Sequence, residues 1–163
     1  NFQADASEIN VGDTVNWTVN VTTTGYGTTA YLGGFVGSFD ASDAGLGNGF
    51  NWASNFAGNA TTPTFAGADV NDINSFNSAL LGSNDSSLED GFTFSVEGAA
   101  EGSLNYTFTG VWSYFADSGI FTLPDEYEFV DVAFTSDNVN IVPAPGAMAL
   151  IGLGGLVAGR RRR

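Results

Sequence analysis

The sequence predicts an all-β protein, an antiparallel β-sandwich with jelly-roll or immunoglobulin-like strand order and one short helix. Two observations support this prediction. Several segments alternate strictly between apolar and polar residues, and clusters of Gly, Asn, Asp and Ser separate these segments as turns separate strands. The chain has 163 residues, so the part that precedes its C-terminal tail is long enough for one domain with a core.

The clearest strand runs from Val15 to Val21, where every second residue is apolar and the residues between are Asn or Thr. The segments 104–114 and 92–96 repeat this pattern. Further strands are predicted at 31–39, 50–56, 127–134 and 139–142, which are rich in aromatic and β-branched residues. Trp17 and Trp112 fall on apolar phases and fit a sandwich core, whereas Trp52 and Trp112 could alternatively form a platform that stacks on sugars.

One segment has helical rather than strand spacing. Val70, Ile73, Phe76 and Leu80 recur at intervals of three or four residues. With Asp69 as N-cap and Gly82 as the stop, the spacing predicts a short helix inserted between strands.

The C-terminal tail differs in composition from the rest of the chain. Its last four residues, Arg160, Arg161, Arg162 and Arg163, are the only basic residues, and they follow an apolar run at 147–159. As a helix this run of 13 residues would be roughly 20 Å long, against about 30 Å for the hydrocarbon core of a bilayer. Bilayer thinning and the reach of the arginines allow a weak, transient membrane contact.

This tail resembles the PEP-CTERM sorting signal of Gram-negative and related bacteria. The motif positions are Val142, Pro143, Ala144 and Pro145, the apolar helix contains Met148, Leu150, Ile151, Leu153, Leu156 and Val157, and the basic stop is Arg160, Arg161, Arg162 and Arg163. The resemblance implies export, transient contact with a membrane, processing by an exosortase-like enzyme and a place on the cell surface or in a biofilm matrix. Ala144 stands where the family has glutamate, which leaves the type of processing enzyme open.

These segments divide the chain into three parts. Residues 1–140 are predicted to form the sandwich body, 141–146 a proline-containing hinge, and 147–163 the helix and arginine cluster of the sorting signal. No signal peptide is recognisable at the N-terminus, so we expect an exported chain to start after signal removal.

Charge and composition exclude several classes of function. The formal net charge of −14 combines 18 acidic side chains, all in residues 1–159, with the four arginines of the tail. Such a body lacks the clustered cations that nucleic-acid binding requires. The chain has no histidine and no cysteine, so the commonest general base, the usual hydrolase triads and thiolate metal sites are missing, and we expect no enzymatic activity.

Two kinds of polar site remain candidates. Clustered acids are typical ligands of calcium, and the candidate ligands are Asp40, Asp43, Asp85, Glu89 and Asp90, although the same acids could serve solubility alone. Otherwise no cofactor is predicted. Asn-X-Ser/Thr sequences make Asn16, Asn20, Asn59, Asn84 and Asn105 candidate glycosylation sites.

The opening segment from Ser7 to Val15 resembles the first hairpin of secreted sandwich modules, including cohesin-like ones. Together these features predict an exported structural protein of the cell surface or extracellular matrix. Two alternatives remain open: a subunit of an extracellular filament that assembles through its tail or an edge strand, and a module that binds a polysaccharide or calcium.

Overall fold

The fold was analysed in a computed structural model, which describes residues 1–22, 30–56, 58–59, 62–76, 87–116, 126–130 and 133–146. These residues form strands and one short 3₁₀ turn, Ala44–Leu46. The strands are β1 (Phe2–Ala4), β2 (Glu8–Asn10), β3 (Thr14–Thr22), β4 (Ala30–Ala41), β5 (Gly47–Ser54), β6 (Gly58–Asn59), β7 (Thr64–Ala66), β8 (Asp69–Phe76), β9 (Ser87–Gly98), β10 (Gly102–Leu104), β11 (Tyr106–Ala116), β12 (Glu126–Val130) and β13 (Val139–Val142).

The strands form three sheets. A four-stranded sheet has the order β1-β3-β9-β5, a three-stranded sheet the order β10-β13-β2, and a six-stranded sheet the order β12-β11-β4-β8-β6 with β7 also paired to β8. The predicted β-sandwich is confirmed, and the strand pairs are antiparallel except for β2 with β13.

An aromatic core joins the four-stranded and six-stranded sheets. The alternation of β3 places Val15, Trp17 and Val19 in this core, as the sequence predicts. The Trp17 ring lies edge-on to Tyr106 at 4.9 Å, and the Phe92 ring contacts Phe39 at 5.5 Å. Since Trp17 and Phe92 belong to one sheet and Tyr106 and Phe39 to the other, these contacts hold the two layers together.

The predicted helix that starts at Val70 is wrong, because residues 69–76 form strand β8. Gly37 pairs with Ile73 and Phe39 pairs with Val70, so the single residue between them on β4 is matched by two residues on β8, Asn71 and Asp72. Asp72 has a positive φ of 61°. This is the geometry of a β-bulge, which inserts one extra residue into a strand. The bulge separates the buried residues Val70 and Ile73 by three positions. A separation of three is also the spacing of residues on one face of a helix. Leu80 and Gly82 lie outside the described residues.

The predicted hairpin at Ser7 to Val15 is also wrong. β2 pairs in parallel with β13, whereas β3 pairs with β1 and β9. The chain turns between the two sheets at Asn10, whose carbonyl accepts a hydrogen bond from the Asp13 amide at 2.9 Å. The segment therefore contains a turn, but its two strands belong to different sheets.

The last strand of the described residues runs across the predicted boundary at residue 140. Strand β13 continues to Val142, and the Ile141 side chain is buried in the core. The predicted last strand at 139–142 is thus confirmed, and its Ile141 pairs in parallel with Ile9. The division of the chain into body, hinge and sorting signal stays a prediction.

Candidate functional site

The outward face of the six-stranded sheet contains an apolar centre. In β4 the rings of Phe35 and Phe39 are buried, so the alternate residues Val36 and Ser38 project outward. Val36 is 52% exposed, which is unusual for an apolar residue near the middle of a sheet. We refer to the outward surface formed by Val36, Ser38, Asp40, Asn74, Phe76, Thr109 and Val111 as the β4–β8–β11 face.

Strand register brings the apolar residues of this face together. Val111 of β11 lies directly opposite Val36 and is 45% exposed. Phe76 of β8 is 47% exposed and lies diagonally from Val36, because Val36 pairs with Asn74 two residues away. Directly paired side chains in a sheet lie about 5 Å apart and diagonal ones about 7–8 Å. The three residues therefore form one contiguous patch.

Glycine neighbours explain why Phe76 is exposed. Its cross-strand partners are Gly34 on β4 and Gly58 on β6, so neither paired residue has a side chain that could cover the ring. Because the neighbouring glycines cannot cover the ring, Phe76 stays exposed to solvent. An exposed aromatic ring of this kind can contact a partner.

The border of the face is polar and acidic. Thr109 donates a hydrogen bond from Oγ1 to Oδ2 of Asp40 across β11 and β4, at 2.5 Å. On β8, Asp72 is exposed and accepts a hydrogen bond from Thr64 Oγ1 at 3.0 Å. Because residues 1–159 contain no lysine, arginine or histidine, no positive side chain of the body offsets these carboxylates.

The outward face of the four-stranded sheet has the opposite character. Its side chains bond to each other within the face: Asn16 Nδ2 donates to Asp5 Oδ2 at 2.7 Å, and Ser95 Oγ donates to Asn16 Oδ1 at 2.8 Å. Farther along, Asn20 Nδ2 donates to Gln3 Oε1 at 2.9 Å. The two outward faces thus differ, because polar side chains of the four-stranded sheet bond to each other and its Phe50 is half-buried, whereas the six-stranded sheet exposes Val36, Phe76 and Val111.

Three of the predicted glycosylation asparagines have described side chains, and all three take part in hydrogen bonds. Asn16 is exposed, whereas Asn20 and Asn105 are half-buried. The amide nitrogen of Asn105 donates to Asn138 Oδ1 at 3.3 Å, and those of Asn16 and Asn20 have the partners given above. Asn59 lies in β6, and Asn84 is outside the described residues. Glycosylation stays a prediction.

The predicted calcium ligands are not gathered into a site in the described part of the chain. Asp40 bonds to Thr109, while Asp43 Oδ1 accepts from the Gly45 amide at 2.8 Å as the N-cap of the 3₁₀ turn. Asp90 is exposed with a positive φ of 52°, Asp85 lies outside the described residues, and so does the side chain of Glu89. Among the described residues no three acids form a metal-binding group. Calcium binding stays a prediction.

The tryptophans lie in the core or pack against it, which agrees with the first of the two interpretations of the sequence. Trp17 and Trp112 are buried, and Trp52 packs against the core with its ring 5.1 Å from Phe92. The Nε1 atoms of Trp17 and Trp112 are buried without a hydrogen-bond partner among the described residues, which fits aromatic packing rather than sugar binding.

Of the predicted sorting signal, only the motif lies in the described part. Val142 ends β13 and its carbonyl accepts from the Val11 amide at 2.9 Å, while Pro143 and Ala144 are half-buried and Pro145 is exposed. The apolar helix and the arginines lie outside the described residues. Within the described ranges, no helix has the length and apolar character needed to cross a bilayer.

Sequence reasoning missed the apolar residues of the β4–β8–β11 face, although one signal was present. The outward phase of β11 contains Thr107 and Thr109, and Val111 interrupts this polar series. An apolar residue on the polar phase of an alternating strand is the pattern that would have indicated the site.

Comparison with known proteins identifies the fold. No protein-family description and no curated protein matches the sequence. Among solved structures, the seventh ScaB type I cohesin from Pseudobacteroides cellulosolvens is similar, with a TM-score of 0.57 and 14% sequence identity over 86% of this chain and 90% of the cohesin chain. The chain therefore has a cohesin-like β-sandwich fold.

Proposed function

We propose that this chain is an exported structural protein of the cell surface or extracellular matrix, and that it assembles with protein partners through the β4–β8–β11 face. The observation that carries the proposal is the contrast between the two outward faces, of which only one exposes the apolar patch of Val36, Phe76 and Val111. Contiguous exposed apolar residues with a polar border are typical of protein-interaction surfaces. The similarity of the fold to that of a cohesin adds support to an assembly role.

The β4–β8–β11 face can be tested by replacing valine with threonine, which keeps the β-branched shape and exchanges one methyl group for a hydroxyl. In producing cells, we expect the Val36→Thr/Val111→Thr variant to be released into the medium several-fold more than the wild type, which stays with the insoluble extracellular material. The matched control is Thr18→Ser/Thr93→Ser, two paired residues of the four-stranded sheet. Equal retention of all three proteins, each folded by circular dichroism, would contradict the proposal.

The C-terminal tail is proposed to act as a PEP-CTERM-like sorting signal with an exosortase-like processing enzyme. Thirteen apolar residues make a weak anchor, which suits a transient signal better than a permanent span. Mass spectrometry of the exported protein tests this point: a mature C-terminus upstream of Arg160 is expected. Recovery of intact chains that end at Arg163 would overturn the sorting role while leaving the assembly role untouched.

A further inference from the structure

We propose that the folded body sets an upstream limit for removal of the tail: the peptide bond that the processing enzyme cuts lies beyond Pro143, and strand β13 stays in the mature protein. Val142 then belongs to the fold rather than to the recognised signal. The inference rests on the sorting role proposed for the tail, and it adds a limit on the site of processing. It follows from the pairing and the burial of β13.

Strand β13 has a neighbouring strand on each side. It pairs antiparallel with β10, where Leu104 lies opposite Val139, and in parallel with β2, where Ile9 lies opposite Ile141. A protein that binds an extended segment by adding a strand to it needs a free strand edge. Both edges of β13 are occupied at Ile141, so an enzyme cannot bind this segment in that way while the body is folded.

The inward side chains of β13 complete the core. Val139 is 0% exposed and Ile141 is 2% exposed. Proteolysis of a folded segment requires that the segment first open, and the rate then follows the population of the open form. Opening β13 would bring both side chains into water, so we expect the open form to be rare.

The segment before β13 is also fixed to the body. The Phe2 amide donates to the Thr135 carbonyl at 2.8 Å, and the Asp137 amide donates to the Phe2 carbonyl at 3.0 Å. Asp137 Oδ2 accepts a hydrogen bond from the Ala4 amide at 3.0 Å. A cut upstream of β13 would therefore remove the partners of β1 as well as those of β2.

The bond between Val142 and Pro143 is protected at its carbonyl group. In hydrolysis, water adds to the carbonyl carbon and the C–N bond breaks. The upstream part gains a carboxylate, and the downstream segment leaves as an amine that has taken up a proton. The enzyme stabilises the carbonyl oxygen in the transition state with donors about 2.7–3.1 Å away. The Val11 amide already donates to the Val142 oxygen at 2.9 Å, so this bond can be cut only after β13 has left β2.

Limited proteolysis of the purified full-length protein tests the limit without the processing enzyme. Thermolysin cuts before large apolar residues, and β13 contains three of them, Val139, Ile141 and Val142. We expect cuts before these residues to be at least about tenfold slower in native buffer than in urea that unfolds the protein. The unfolded protein is the matched control, because it shows that the same bonds are cut when they are exposed. Protection below this level would overturn the inference.

Mass spectrometry of the exported protein locates the mature C-terminus. A C-terminus at or beyond Pro143 and before Arg160 is expected. If the mature chain ended at Val142 or earlier, the limit would be wrong although the sorting role would stand. Chains that end at Arg160 or later would overturn the sorting role and the limit together, so the two failures are distinguishable.

A pair of variants tests whether the enzyme recognises Val142. The Val142 side chain is half-buried on the same phase of β13 as the exposed Asn140, so Val142→Thr keeps the strand and changes only the outward surface. We expect this variant to be processed at the rate of the wild type, whereas Pro143→Ser/Pro145→Ser is processed several-fold more slowly. Slower processing of Val142→Thr, with the protein folded by circular dichroism, would overturn the assignment of Val142 to the fold. Wild-type rates for both variants would contradict recognition of the motif and therefore the sorting role itself.

Discussion

Gly37 and Gly110 lie directly opposite each other on β4 and β11, beside the Val36–Val111 pair. A Cβ added to Gly37 would lie 2.8 Å from the Gly110 Cα, and a Cβ added to Gly110 would lie 2.6 Å from the Gly37 Cα. Both distances are too short for a side chain without movement of the backbone. The close approach of these two strands therefore requires glycine on each, and it holds the two exposed valines in register.

Replacing Gly110 with alanine should destabilise the fold. Overpacking costs about 1–3 kcal/mol, and the φ of 149° at Gly110 adds strain for any side chain. Urea denaturation of Gly110→Ala is expected to show a lower free energy of unfolding with an unchanged slope. Gly146→Ala is the matched control, since an added Cβ there meets no described residue within 4 Å. Equal free energies of unfolding for the two variants would contradict this prediction, because they would show that β4 and β11 can move apart at little cost.

The Phe2 side chain should contribute more to stability than its position beside the N-terminus suggests. Its ring is buried, edge-on to Phe39 at 4.9 Å and stacked on Tyr106 at 5.8 Å. Its backbone also joins β3 to the segment before β13, because the Phe2 amide donates to the Thr135 carbonyl at 2.8 Å. We expect Phe2→Ala to cost about 3–5 kcal/mol, as for other buried phenylalanines.

A matched control for Phe2 is Phe134, which is 43% exposed. Phe134→Ala removes the same atoms from a surface position and should change the free energy of unfolding by less than about 1 kcal/mol. If urea denaturation gave similar losses for both variants, the buried position of Phe2 would be wrong.

The sequence predicts the fold class well but not its irregularities. Period-two alternation identifies β3, β9 and β11 because one side of each strand faces a single aromatic core. The bulge at Asp72 interrupts the period of two in β8 and produces a spacing of three. The local sequence pattern alone cannot distinguish a bulged strand from a helix. The parallel pairing of β2 with β13 joins segments more than 130 residues apart, and no local signal specifies it.

The candidate site was less predictable than the fold. The sequence shows that the body is acidic, but it does not show which strands are neighbours. Val36 and Val111 become a pair only through the register of β4 with β11, and Phe76 joins them only because β8 is a strand. The candidate calcium ligands and glycan acceptors of the body are polar, so neither prediction pointed to the apolar face.

Tyr106 should make the stability of the protein fall at high pH. Its hydroxyl donates to the Ala68 carbonyl at 2.8 Å, and burial, followed by the Asp69 carboxylate, raises the pKa of the phenol. The unfolded chain therefore loses the Tyr106 proton above about pH 10 while the folded chain keeps it. The stabilisation that the protonated Tyr106 phenol contributes is fully present below about pH 10, and it is lost as the pH rises above this value.

Tyr106→Phe isolates this contribution. At pH 7 the variant should be less stable by about 1–3 kcal/mol, because the buried Ala68 carbonyl loses its donor. Urea denaturation from pH 8 to pH 11 should show the difference between wild type and variant shrinking as the pH passes about 10. A constant difference across this range would contradict a protonated, buried Tyr106.

The charge of the body predicts stabilisation by salt. The 18 acidic side chains in residues 1–159 have no basic partner outside the tail, so their repulsion opposes the compact state. Sodium chloride at 1 M shortens the screening length to about 3 Å, from about 30 Å at 0.01 M, so we expect the urea midpoint at pH 7 to rise with salt. Acid protonates aspartate and glutamate side chains in general and so removes their negative charge, and we expect the salt effect to be largely absent at pH 3. An equal rise at both pH values would assign the effect to general exclusion of salt from the protein surface rather than to charge, and it would contradict the prediction.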